Sequence, residues 1–238
     1  MIKIENVVLP SPAQWERIIH GLRNPMNSWD KSDSYKTHIE NPQTGNVADF
    51  GFFVGNEDYK LMEKLAKAGS DHRKYLRMIP VYLDITAPLY WWKEADTYKV
   101  GTVANSCSTM HKIHAKEFTL DDFSCEHLLD DNPYDIDDWE YAPSKILWNV
   151  IETLNYNRKL FLETNDKRYW WQMIQLLPSS YNQKRTVFLN YEVLGNMYRA
   201  RKNHKLDEWH VLCDWIKTLP YSELITERET DNSESNGQ

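Results

Sequence analysis

Two groups of side chains in this chain have the types and spacing to do chemistry. The first lies in residues 87–111, APLYWWKEADTYKVGTVANSCSTMH. Tyr90, Trp91 and Trp92 supply a large apolar anchor. Past Gly101, Thr102, Asn105, Ser106, Cys107 and Ser108 supply small hydrogen-bonding groups. An apolar wall followed by close-set donors and acceptors is what a pocket for a polar, planar ligand requires. A helix end running into a polar surface loop has the same composition. The second group is cationic. Lys184 and Arg185 follow a Ser-Ser-Tyr-Asn-Gln turn and read as the opening of a helix, whose free N–H groups would seat a phosphate. The alternative is a pair of solvated charges on an exposed turn. Arg199, Arg201, Lys202, His204 and Lys205 form a second basic cluster, which the dipole of a helix C-terminus accounts for by itself.

Other candidates are weaker. Cys107 between two serines has the form of a nucleophile, but no nearby His or Asp motif identifies a base. His111 and His114 share a helical face and could join Cys107 around a metal. Incidental surface residues have the same spacing, and no metal is expected. Residues 23–34, RNPMNSWDKSDS, form a polar connection; Arg23, Asn27, Ser28 and Lys31 would make it a phosphate-contacting or cofactor-contacting loop.

The elements that must position these groups follow from pattern. Residues 2–9 alternate as a strand. Ser11, Pro12 and Gln14 open a helix to about Leu22 through a capping box. Asn56 caps a helix with Glu57 and Asp58 in its first turn, closed by Gly69. Residues 78–86 alternate Ile79, Val81, Leu83 and Ile85 against polar positions, a strand that Pro80 places at an edge or bulge. Pro88 suits the first turn of a helix through the Trp pair. Helices are expected over 144–164, 166–177, 184–202 and 206–219, with Pro178 and Pro220 ending two of them. An acid-dense insertion over about 119–143 lacks the Gly and terminal Glu of a calcium loop and reads as solvated. The tail from Glu227 has no apolar residue and is expected to be disordered.

The bulk numbers exclude some classes. The 238 residues suit one domain, expected over 1–226, with a substantial core. Ten Trp and 14 Tyr supply large burying or stacking areas. A net charge of −7 argues against a general nucleic-acid binder, which needs a basic face, but allows one nucleotide in a local basic pocket. Three widely spaced Cys make neither a disulfide framework nor a metal knuckle. With no signal-like N-terminus and no membrane-spanning run, the chain reads as cytoplasmic.

The segment 87–111 also resembles the signature of the flavin-dependent thymidylate synthases, A-P-x-x-x-x-R-Q-x-x-R-H-R-x-x-S-x-N-E-x-S-x-R-Y. Ala87 and Pro88 match it, Lys93 and Glu94 stand for Arg-Gln, and Thr97, Tyr98 and Lys99 stand for Arg-His-Arg. Thr102 takes the place of the first Ser. After one inserted residue, Asn105, Ser106 and Ser108 fall on Asn, Glu and Ser, and Met110 and His111 on Arg-Tyr. Leu177-Pro178, Lys184, Arg185, Asn190, Leu194, Asn196, Arg201 and Trp209 are similar to the family's LP…R…N…L…N…R…W segment. Residues 61–87 occupy the family's helix, Gly-His, Glu-His and strand, where His72 and Arg77 are the polar residues left.

The resemblance implies an α+β domain, a mixed sheet flanked by long helices with a helix-rich C-terminal half, assembled as a homotetramer. It implies an FAD-dependent transfer of a one-carbon unit from methylenetetrahydrofolate to C5 of a pyrimidine deoxynucleotide such as dUMP, with NADPH reducing the flavin. Carried onto this chain, His72, Lys99, Asn196, Arg199 and Arg201 would hold the flavin. Glu94, Asn105, Ser106, Cys107 and Ser108 would hold base and sugar, and Lys184 or Arg185 the phosphate. The alternatives are a non-catalytic oligomeric nucleotide-binding or scaffold protein that kept the fold, and an interaction protein that uses exposed Trp and Tyr.

Overall fold

Alternation of Val81, Leu83, Ile85 and Ala87, each no more than 2% exposed, builds the strand on which the sheet is centred. The computed structural model describes residues 1–40, 43–44, 47–130 and 142–227; residues 131–141 of the acidic insertion and 228–238 of the tail lie outside them. Strands β1 (Lys3–Val8), β4 (Pro80–Pro88), β5 (Val103–Ser106) and β6 (Asn182–Asn190) form one sheet in the order β1-β4-β6-β5. Strands β2 (Tyr35–Glu40) and β3 (Val47–Phe53) form a separate antiparallel hairpin. The helices are α1 (Pro12–Arg23), α2 (Asn56–Lys67), α3 (Leu89–Ala95), α4 (Thr109–Lys112), α5 (Pro143–Thr164), α6 (Lys167–Leu176), α7 (Tyr191–Arg201), α8 (Asp207–Lys217) and α9 (Glu223–Thr226). The α+β class expected from the sequence is the class observed.

Several local expectations are corrected. Pro80 does not mark an edge strand, because β4 lies between β1 and β6. It is the first residue of its strand, where a missing N–H costs the ladder nothing. The helix expected over 184–202 is a strand to Asn190 and a helix only beyond it. The β-branched and aromatic run Thr186, Val187, Phe188 overrides the helical reading. Asn56 does not cap α2; the cap position is Gly55, which has no side chain to offer. Asp33 replaces it from another segment, accepting from Glu57 N at 2.9 Å and Asp58 N at 3.1 Å. A Cβ at Gly55 would lie 2.1 Å from Asp33 Cγ, so only glycine admits this cap. Desolvation opposes the charge on Asp33, yet these N–H donors hold its carboxyl below the usual range.

The chain divides into two compact units. One comprises Met1–Glu5, Asp84–Thr97 and Ala104–Thr186. In it α5 packs on α6, and Leu147, Ile151 and Leu154, at helical spacing, bury with Met173 against Ile113, Phe118 and Phe123. Each such burial contributes about 1.5–3 kcal/mol before entropy is counted. Asp166 caps α6 by accepting from Arg168 N at 2.9 Å.

The other unit comprises Asn6–Leu83, Tyr98–Val103 and Val187–Gln238. Ser11 and Gln14 close the expected capping box of α1, which buries Trp15, Ile18, Ile19 and Leu22. Here α7 packs against α8 and α9, and Asn190 caps α7 by accepting from Val193 N at 3.0 Å. Gly101 approaches that cap with φ +80°, and a Cβ there would lie 2.5 Å from Asn190 Nδ2. Among the described residues no helix is long and apolar enough to cross a membrane.

Cys213, buried on α8, has its thiol pushed up to about 11 from an ordinary 9.0, chiefly by burial. The raised folded value means that its neutral form stabilises the native state fully below pH ~9, and that this is lost as pH rises through about 11. The unfolding free energies of wild type and Cys213→Ala, measured in urea, are therefore expected to converge between pH 9 and 11 by on the order of 1 kcal/mol. A pH-independent difference would refute the assignment.

Candidate functional site

In the first unit the sheet gathers most of the expected substrate residues. Asn105 and Ser106 lie on β5, exposed, beside β6. Cys107, also exposed, donates its backbone N–H to Lys184 O at 2.9 Å and accepts at its own carbonyl from Gln183 Nε2 at 2.9 Å. Gln183 Oε1 in turn accepts from Arg185 Nε at 3.0 Å. The Arg185 guanidinium lies 4.1 Å from the centroid of the Trp92 ring, and Nη1 donates to Asp96 Oδ1 at 2.7 Å. Trp92 Nε1 donates to Gln183 O at 2.9 Å, so α3 and β6 are tied by both ring and main chain. Glu94 lies on α3 two residues from Trp92. Ser108 Oγ caps α4, accepting from His111 N at 2.9 Å, and keeps its hydroxyl proton to donate.

The adjacent cations do not form a shared seat at a helix N-terminus. They are consecutive residues of a strand, and consecutive strand residues face opposite ways. Lys184 Nζ lies 3.2 Å from Asp84 Oδ2 and 3.4 Å from Glu5 Oε2. Its pKa is raised, first by the hydrogen bond to Asp84. Thr186, two residues on, also donates to Asp84, at 2.6 Å, as strand alternation requires.

In the second unit the expected cofactor residues lie mainly on α7 and the 98–103 segment. Arg201 Nε donates to the Tyr98 hydroxyl at 3.0 Å, and its guanidinium lies 4.8 Å from the centroid of the fully buried Trp209 ring. Tyr98 meets Trp209 edge-on at 6.0 Å. Arg201 is thus clamped between two rings, which fixes its direction. Asn196 Oδ1 accepts from Arg199 Nη2 at 2.5 Å. Arg199 Nε and Thr102 Oγ1 are buried with no partner among the described residues, and buried polar atoms left unpaired call for an acceptor or donor from elsewhere. Lys99, next to Tyr98, is exposed, and exposed His72 lies in the turn after α2.

Arg23, read as part of a ligand loop, is 4% exposed, and its Nε donates to Asp58 Oδ1 at 2.5 Å. Asp58 is fully buried and also accepts from Ser32 Oγ, Asp33 N, Ser34 N and Ser34 Oγ. His114 packs edge-on to Phe161 at 4.9 Å. Among the described residues no three His, Cys, Asp or Glu side chains come together as a metal would need. Asp96 and Gln183, partners of Arg185, are absent from the sequence expectations, and Trp92 figures there only as an apolar anchor. The aromatic pair was visible, but not that a distant strand would lay a guanidinium on one ring.

The sequence matches no family model, and no curated protein matches it. Its fold has clear counterparts among solved structures. Thymidylate Synthase X (ThyX) from Helicobacter pylori, crystallised with FAD and dUMP, aligns at TM-score 0.61 with 16% identity, over 95% of this chain and 97% of that one. The UMP/dUMP methylase PolB from Streptomyces cacaoi, bound with 5-Br dUMP, aligns at TM-score 0.60 with 13% identity, over 96% of this chain and 94% of that one. Nearly end to end, this chain is similar in fold to a thymidylate synthase X and to a UMP/dUMP methylase.

Proposed function

We propose that this protein binds FAD and a pyrimidine nucleotide monophosphate and methylates the pyrimidine at C5. The observation that carries the proposal is the end-to-end likeness to one enzyme crystallised with FAD and dUMP and to another bound with 5-Br dUMP. The residues present fit a flavin. Arg199 Nε is a buried, unpaired donor, Thr102 Oγ1 a buried, unpaired hydroxyl, and Lys99 an exposed cation next to the Tyr98–Arg201–Trp209 clamp. Arg199, Arg201 and Lys99 would meet the cofactor's phosphates, with Asn196 orienting Arg199 and His72 a further contact. When bound, the flavin supplies the transfer of a one-carbon unit, with methylenetetrahydrofolate as donor and NADPH as reductant.

The chain's own residues bind and orient. Arg185, held over the Trp92 ring, offers its guanidinium to the nucleotide phosphate in place of the exposed Asp96 carboxylate, while Lys184 steadies the opposite face of the strand. Glu94, Asn105, Ser106, Cys107 and Ser108 meet base and sugar. Assembly as a cytoplasmic homotetramer belongs to the same reading.

The decisive experiment is a titration of the purified protein with FAD, read in the visible absorbance, followed by thermal melts with dUMP and UMP. Saturable flavin binding and a rise in melting temperature with either nucleotide are expected, because a ligand of the native state stabilises it by mass action. Absence of flavin binding would sink the enzyme reading; a nucleotide-induced rise without flavin would leave a nucleotide-binding scaffold.

A further inference from the structure

A second pocket lies wholly within the unit that holds α1 and the β2–β3 hairpin, and none of its residues belongs to the flavin or nucleotide sets proposed above. It encloses about 200 Å³ between α1, the 29–34 segment and the hairpin. An engineered cavity of roughly 150 Å³ holds benzene, so this volume suits one aromatic ring with a small substituent and excludes a dinucleotide.

Its lining carries three cations, Arg17, Arg23 and Lys36, and one carboxylate, Glu16. Behind the lining, Asp58 pairs with Arg23 and Asp49 Oδ2 lies 3.3 Å from Lys36 Nζ. Glu16 lies 3.1 Å from Lys36 and only 3.8 Å from the exposed Arg17. Arg23 is the built part of the site. Its Nε serves Asp58, and its Nη1 serves Ser28 O at 3.3 Å and Ser28 Oγ at 3.4 Å. The remaining amino group, Nη2, has no acceptor among the described residues, although the side chain is 5% exposed and lines the pocket. A nearly buried guanidinium edge with free donors is a seat for a planar or tetrahedral anion. The walls are aromatic: Trp29, 44% exposed, stacks on His20 at 5.6 Å, and Tyr35 stands at the rim, 56% exposed. Trp29 is held by its Nε1 bond to Asn24 Oδ1 at 2.9 Å, so the wall is set before a ligand arrives.

We infer that this pocket binds a single-ring aromatic anion, the ring against Trp29 and His20 and the carboxylate or phosphate on Arg23 Nη2. Calorimetric titration of the full chain with p-hydroxybenzoate, phenyl phosphate, phenol and inorganic phosphate tests it. At least one of the first two is expected to bind saturably at one site, at least tenfold tighter than phenol or inorganic phosphate. Whichever binds tighter identifies the anion. Trp29→Ala and Arg23→Lys are each expected to weaken binding at least tenfold, while Lys159→Ala, on α5, leaves it unchanged. If Arg23→Lys fails to fold by circular dichroism, Arg17→Ala takes its place, with a smaller loss expected. No saturable heat with either aromatic anion, or unchanged affinity in Trp29→Ala, overturns the inference. Neither outcome depends on whether flavin binds.

Discussion

Asp58→Ala is expected to lower the unfolding free energy by about 3–5 kcal/mol, the cost of leaving a buried guanidinium without its counter-charge. Asp58 is fully buried and takes five hydrogen bonds, from Arg23, Ser32, Asp33 and Ser34. Its loss strands Arg23, which is itself 4% exposed, and frees the 32–34 segment whose Asp33 caps α2. Asp58→Asn keeps an acceptor oxygen and is expected to cost less. Urea unfolding of the two variants checks this. A loss under 1 kcal/mol for the alanine variant would show that Arg23 finds water or another acceptor.

The second large effect is expected at Trp209. With no exposed surface, its replacement by alanine removes a full indole from the core, a loss of about 3–5 kcal/mol. The same change takes away one of the two rings beside Arg201, Tyr98 being the other. Trp209→Phe restores a ring of smaller area and is expected to recover most of the stability. Flavin affinity separates the roles. If the clamp aims Arg201, the phenylalanine variant folds but binds FAD several-fold more weakly; equal affinity in wild type and Trp209→Phe would make the ring a core residue only.

What was legible in the chain follows from the range of the interaction. The capping box at Ser11, the stop at Gly69, the alternation in β4 and the buried stripe of α5 are local patterns, and each is found within a residue or two of its expected place. The Arg23–Asp58 pair was not legible. Arg23 looks like a ligand residue in a polar loop, and Asp58 looks like an ordinary acidic residue in a helix's first turn. Only the fold shows that the two are partners. The same holds for Arg185 and Trp92. The error at 184–190 has a different origin, because a helix that begins at Tyr191 lent its periodicity to the strand before it. The frame of the candidate site was readable as an order of motifs; the counter-charges that occupy its cations were not.

In β6 the parity of a residue number carries as much information as the residue itself. Arg185 shares odd parity with the buried Val187 and Leu189, while Lys184 shares even parity with Thr186. Insert or delete one residue in the turn after Pro178, and the strand would present its ammonium group to Trp92 and its guanidinium to Asp84, with Val187 and Leu189 turned out of the core. The composition would be almost unchanged. Drift in this segment is thus tolerated as substitution and forbidden as a change of length, a constraint of counting that falls on the spacing between the turn and the cap at Asn190.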